Sequence, residues 1–212
     1  MLVCFIGVDG SGKTSAAAHV DEILTKKHLA CKHSHYEYSL VDRAPRVLKS
    51  YARRFLLSDG NGGSSGASRE GGRKSQLMTL LLFLAAVLDN LIERVKEIEP
   101  YRNDVIIYDR YFYDHLVRLG LSWPPWLTRA YLQTVPKPDL TILLDVSAST
   151  AYNRKPEVSI ALLSQQRSLY LKLGQLLDSA NFIFIDAELP PERVYSLIDE
   201  SLAPLLNHFA ST

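Results

Sequence analysis

"GVDGSGKT", residues 7–14, follows directly on the apolar run "LVCFI" at 2–6, and its reading decides the fold. Gly7, Gly12, Lys13 and Thr14 satisfy the spacing G-x-x-x-x-G-K-[ST] of a phosphate-binding loop. The chemistry needs these residue types at this spacing. Glycines let the backbone curl until successive N–H groups point inward and form an anion nest. A helix that starts near Lys13 aims its positive dipole end at the same point. Lys13 reaches the outer phosphates of a nucleoside triphosphate, and the Thr14 hydroxyl suits Mg²⁺. Asp9, Gly10, Ser11 and Ser15 complete the expected donor cradle. A helical pattern of Ala16, Val20, Ile23 and Leu24 follows the loop. The plain alternative is a turn that merely links a strand to a helix. The spacing and its context predict nucleoside triphosphate binding.

The rest of the chain bounds this reading. With 212 residues it is long enough for one full core, and a single domain is expected over 1–212. Twenty-four basic residues nearly balance 23 acidic ones, for a net charge of +1, which argues against broad electrostatic binding to nucleic acid or membrane. The two cysteines, Cys4 and Cys31, have no paired spacing and read as reduced thiols of a cytoplasmic protein. The N-terminal apolar run is too short for a signal peptide. The longest apolar stretch, "LMTLLLFLAAVL" at 77–88, is too short to span a bilayer and reads as a buried helix.

Five short apolar runs, at about 2–7, 33–38, 104–109, 139–145 and 181–186, read as buried parallel strands. Helical periodicity lies between them, at about 13–29, 44–57, 76–98, 112–133 (broken at "WPPW"), 147–179 and 190–207. Such alternation predicts an α/β fold of three layers, a parallel five-stranded sheet with helices on both faces. Ligands of such sheets bind outside the carboxyl ends of the strands, which directs attention to Gly7, Asp109, Asp145 and Asp186. The stretch "SDGNGGSSGASREGGRKS" at 58–75 is expected to be a flexible surface loop, either a solvated connection or, through Arg69, Arg73 and Lys74, a cover for an anionic substrate. Arg46, Lys49 and Arg53 share a helix face and read as solvated.

"VIIYDRYFYDHLVRLG", 105–120, supplies a second phosphate site. Asp109 ends the strand, where it holds Mg²⁺ through water or accepts a proton. Arg110 offers a planar fork to a phosphate. Asp145, after "TILL", competes for the metal or caps the next helix. Asp109 is preferred because an arginine and an aromatic cluster follow it. In "AYNRKPE", 151–157, Arg154 and Lys155 stand where a lid of about 150–158 begins, with Pro156 as a break. Phosphoryl transfer needs chiefly positioning and positive charge on the transferring group, which an arginine in a closing segment supplies. Tyr36, Tyr38, Tyr111, Phe112 and Tyr113 either stack on an acceptor base or pack the core. Trp123 and Trp126 anchor a helix–helix turn. Cys31, His33 and His35 alternate at strand spacing but lack a fourth ligand.

In this order the chain resembles the thymidylate kinase family of P-loop kinases, as a divergent member. The resemblance rests on "GVDGSGKT", "YDRY", "PDLTILLDVS" with the Arg154–Lys155 turn, "LLSQQRSLYLKL" and "FIFIDAELPPERV". It implies transfer of the ATP γ-phosphoryl to a nucleoside monophosphate, Mg²⁺ and a homodimer. It also implies roles: Asp9 at the acceptor sugar, Lys13 at the transferring phosphate, Arg110 at the acceptor phosphate and Arg154 in the lid. The turn at Asp186–Ala187 lies near the adenine, and Tyr38, Arg43 and Tyr111 fall to the acceptor. Two family features are absent. "HYEYSLVDRAPR" stands where an Arg-Glu-Pro-Gly-Gly-Thr type stretch is usual, with Arg43 the stand-in. The "AAVLDN" of the apolar helix lacks the arginine that helps recognise thymine.

The leading expectation is therefore an ATP-dependent kinase acting on a nucleoside monophosphate, with a dTMP-like acceptor first. The alternatives are a kinase of a nucleoside or other metabolite hydroxyl, and an NTP-binding switch with little transfer activity. No guanine-reading Asn-Lys-x-Asp stretch supports the switch.

Overall fold

A computed structural model describes residues 1–35, 69–101, 104–118, 123–177 and 180–209. The expected helix at 44–57, with Arg46, Lys49 and Arg53, lies outside the described residues, as do Tyr36, Tyr38, Arg43 and the 58–68 part of the glycine-rich stretch.

The described elements run β1 (Leu2–Ile6), α1 (Lys13–Lys26), β2 (Cys31–His35), α2 (Arg69–Glu93), β3 (Val105–Asp109), α3 (Asp114–Arg118), α4 (Pro125–Thr134), β4 (Leu140–Asp145), α5 (Ala148–Arg154), α6 (Ile160–Leu177), β5 (Phe182–Asp186) and α7 (Pro191–Phe209). The strands form one five-stranded sheet in the order β2-β3-β1-β4-β5, and every pairing is parallel. Every residue of β1, β3 and β4 is buried. That is why these strands read as unbroken apolar runs: a parallel strand covered on both faces has no polar side to show. Chain order runs one way from β1 towards β3 and the other way towards β4, so the loop after β1 emerges at the switch point of the sheet, where such folds bind ligands.

Several sequence expectations need correction. Residues 69–75 are helical, because α2 begins at Arg69 and takes Gly71 and Gly72 into its first turn, where few backbone bonds depend on them. The apolar helix is not buried throughout. Leu82 and Ala86 are in the core, whereas Leu80, Leu81, Leu84 and Leu88 are each about half exposed. A helix on the outside of the layer covers one face only. Its end departs from the regular pattern, widening into a π-helical segment at Arg94–Ile98 and then tightening into a 3-10 turn at Glu99–Tyr101. The expected helix over 147–179 is two, α5 and α6, separated at Pro156, which has no N–H to continue the ladder. The strand expected at 33–38 starts earlier, because its register against β3 pairs Cys31 with Val105 and His35 with Asp109. Of the two tryptophans, Trp123 is buried against Phe83 and Tyr131, while Trp126 is exposed. Among the described residues no helix is long and apolar enough to cross a membrane.

Candidate active site

The loop is built by conformations that glycine alone takes easily. Gly10 and Gly12 have φ of 86° and 94°. A Cβ at Gly10 would run into the carbonyl oxygen of Ala151, so α5 rests directly on the loop. The Lys13 ammonium donates to the carbonyl oxygens of Gly7 and Val8 at 2.9 and 2.8 Å and lies 3.9 Å from Asp9. Burial holds its pKa below the ordinary lysine value; Asp114 opposes this, Arg110 adds to it, and Asp9 and Asp109 oppose it. The Ser11 hydroxyl is buried with no hydrogen-bond partner among the described residues.

Three elements converge beside Lys13. Thr14, in the first turn of α1, donates its hydroxyl to Asp109 Oδ2 at 2.6 Å, at the carboxyl end of β3. His35, at the end of β2, approaches the same oxygen at 3.9 Å. Arg110 has φ of 73°, a left-handed conformation. For a residue with a Cβ this costs about 1–2 kcal/mol, and such strain gathers at functional sites. Two contacts hold it there. Its N–H donates to Phe5 O at 3.1 Å, and its guanidinium pairs with Asp9 of the loop. The turn thus swings the Arg110 fork over the loop, next to the Thr14–Asp109 pair.

Asp145 is clamped by an arginine and does not cap the next helix. Both its oxygens accept from Arg167 of α6, at 2.7 and 2.6 Å, which raises the arginine pKa further. Ser147 caps α5 instead, accepting from Thr150 N–H at 3.2 Å. Asp109, by contrast, accepts from the Thr14 hydroxyl at the edge of the loop.

Tyr111 does not reach the open edge. It is fully buried, and its hydroxyl donates to Pro136 O at 2.6 Å. Its ring meets Tyr108, Phe112 and Tyr113 edge-on. The acceptor role expected of it is withdrawn: an aromatic residue just past a buried strand fills the core. Phe112 and Tyr113 are buried too, so of the five rings considered for stacking only Tyr36 and Tyr38 stay open, outside the described residues.

Behind the loop lies a cleft of about 230 Å³ lined by Ser11, Gly12, Ser15, Arg154, Ala187 and Tyr195, among others. Arg154 donates to Ala187 O at 3.0 Å, tying the end of α5 to the turn after β5. Asp186 does not line the cleft. Its carboxylate accepts from Glu188 N–H at 2.9 Å and shapes that turn. Glu188 accepts from Ser147 N–H at 2.8 Å, and this bond lowers its pKa. The structure brings Ser11, Gly12, Ser15, Arg154 and Ala187, all expected from the sequence at the donor side, to this one cleft. Sequence reading missed Arg167 and the wall made by Leu189, Pro191, Val194 and Tyr195. Only the "PPERV" helix start hinted at that wall.

Among the described residues no group of three His, Cys, Asp or Glu side chains could hold a metal ion. Cys31 instead donates its thiol to Asp21 at 2.5 Å. What the edge does offer is a hydroxyl and a carboxylate in contact, the hard oxygen donors that suit Mg²⁺ shared with substrate phosphates and water.

Residues 66–198 match the family model of the thymidylate kinases. The chain is 30% identical to a protein of Metallosphaera sedula named probable thymidylate kinase, over 99% of this chain and 96% of the relative. A protein of the same name from Methanothermobacter thermautotrophicus is 31% identical, over 96% and 95% of the two chains. Another, from Methanosphaera stadtmanae, is 27% identical over 88% and 89%.

Proposed function

The chain belongs to the thymidylate kinase family of ATP-dependent nucleoside monophosphate kinases, and from that premise we propose that its carboxyl edge moves the ATP γ-phosphoryl onto dTMP. The contact of the Thr14 hydroxyl with Asp109, beside Lys13 and the Asp9–Arg110 pair, carries this reading. The loop N–H groups from Gly10 to Ser15 and the Lys13 ammonium bind the donor phosphates, Lys13 turning from the Gly7 and Val8 carbonyls to do so. Arg110 exchanges Asp9 for the acceptor phosphate, a bidentate match for its fork. Asp9, so released, is free to accept from the acceptor sugar. The donor base enters the cleft behind the loop, and Arg154 closes over the phosphates from the end of α5. Thr14 and Asp109 would hold Mg²⁺, Asp109 through water; bound there, the ion neutralises charge on the donor phosphates. Tyr38 and Arg43 complete the acceptor side.

The missing arginine in "AAVLDN" favours one competing reading, a kinase of another nucleotide or of an unphosphorylated nucleoside. Arg110 argues for an acceptor that carries a phosphate. ADP formation measured against a panel of nucleoside monophosphates, nucleosides and no acceptor separates them. Preference for dTMP supports the proposal. Preference for thymidine over dTMP defeats it.

The protein acts as a homodimer in this reading. Leu81, Leu84, Leu88, Leu91 and Val95 recur at intervals of three and four residues along α2 and its π-helical end, all about half exposed or more. That spacing makes one apolar seam, suited to the same seam of a second copy. Light scattering should give twice the chain mass, falling to the monomer in Leu84→Glu/Leu88→Glu. A wild-type monomer refutes the dimer. Free Cys4 and Cys31 support a cytoplasmic location.

A further inference from the structure

We propose that His19 is a positioning residue for the donor base, acting through Tyr195. The inference rests on the reading of the cleft behind the loop as the donor-base site. His19 of α1 stacks on Tyr195 of α7, with ring centroids 4.2 Å apart and planes 10° from parallel. Its Nε2 donates to Asp199 Oδ1 at 2.8 Å, one turn further along α7. Tyr195 in turn lines the cleft, beside Val194 and Pro191. The three groups form a chain: the carboxylate fixes the imidazole, the imidazole covers one face of the phenol ring, and the ring forms wall.

The stack decides where that wall stands. A tyrosine on a helix surface ordinarily exchanges between staggered rotamers. A stacked neighbour that is itself hydrogen-bonded selects one of them. Leu144, Ala187, Leu189, Pro191 and Val194 make the rest of the cleft mostly aliphatic. A purine would therefore gain affinity there chiefly from contact area and ring placement. His19 also stands on the helix whose first turn carries Lys13, Thr14 and Ser15. Its contact with Tyr195 fixes the span between phosphate cradle and base wall, so loss of the ring should weaken the base without touching the phosphates.

Calorimetric binding of ADP and of tripolyphosphate, a probe with no base, tests this in the full chain, together with ATP kinetics. In His19→Ala the ADP affinity should fall about three- to tenfold, the worth of one aromatic stack, with tripolyphosphate affinity unchanged. The KM for ATP should rise in step while kcat stays within about twofold. His19→Phe keeps a stacking ring without the hydrogen bond and should return ADP affinity to within about twofold of wild type. Should His19→Ala fail to fold, His19→Phe against His19→Asn makes the same comparison of ring with hydrogen bond. Unchanged ADP affinity on loss of the ring overturns the inference. So does an equal loss for ADP and tripolyphosphate, which would mean that the residue acts on the loop. A wild-type protein that binds tripolyphosphate as tightly as ADP instead overturns the base-site reading beneath it.

Discussion

The Thr14 hydroxyl donates to Asp109 Oδ2 at 2.6 Å across 95 residues of sequence, joining the first turn of α1 to the end of β3. The start of α1 and the end of β3 thus present one hydroxyl and one carboxylate together. Asp145, at the matching end of β4, is instead clamped by Arg167. The two aspartates, equal in local sequence, should separate on mutation. Asp109→Asn should lower kcat/KM about 10–100-fold, as loss of a group that orders a metal's water shell does. Asp145→Asn should leave turnover within a few-fold and cost about 1 kcal/mol or less in stability, since its arginine partner is substantially exposed. Steady-state kinetics and urea unfolding of both variants make the comparison. The reverse order of effects would move the metal site to β4.

Gly10→Ala should damage both binding and fold. The new Cβ would meet the Ala151 carbonyl in a backbone conformation, φ 86°, that alanine resists. Thermal unfolding should report a loss of about 1–2 kcal/mol for the backbone alone. ADP affinity should fall with it, because α5 and the loop can no longer touch. Stability and affinity equal to wild type would contradict the packing described.

Much of this was legible in the sequence, and the misses share a cause. The loop is read from spacing because its function needs particular residues at fixed intervals along one turn. The buried strands are read from composition because both their faces are covered. The burial of Tyr111 is not legible locally, because the left-handed turn at Arg110 resets which way the next side chains go. Arg167 and Tyr195 act through partners on other elements, Asp145 and His19, and no local pattern encodes a contact of that kind. The exposed leucines of α2 escaped for a related reason. Periodicity finds the apolar stripes of a helix but does not say which of them the fold covers.

Tyr111→Phe tests the reassignment of that residue. Loss of its hydrogen bond to Pro136 O should cost about 1 kcal/mol in stability. The KM for the acceptor should not change. A selective rise in that KM would return Tyr111 to the acceptor site.

Cys31 should behave as a protected thiol. Burial, then the hydrogen bond and charge of Asp21, push it up to about 12, from an ordinary value of 9.0. A thiol whose folded pKa is raised holds its proton longer when folded than when unfolded. It therefore leaves stability untouched well below pH 9 and reduces it as pH climbs from about 9 to about 12. Alkylation of Cys31 by iodoacetamide at pH 8 should be slow, and Asp21→Asn should accelerate it by lowering the thiol pKa. Equal rates in the two proteins would contradict the pairing.

The decisive measurement for phosphoryl transfer to dTMP follows label from γ-labelled ATP, with dTMP or thymidine as acceptor, in wild type and Lys13→Ala. Labelled dTDP is expected from the wild type, with little product from thymidine and a loss of several orders of magnitude without the Lys13 ammonium. Label released only as inorganic phosphate, whatever the acceptor, would contradict transfer to dTMP.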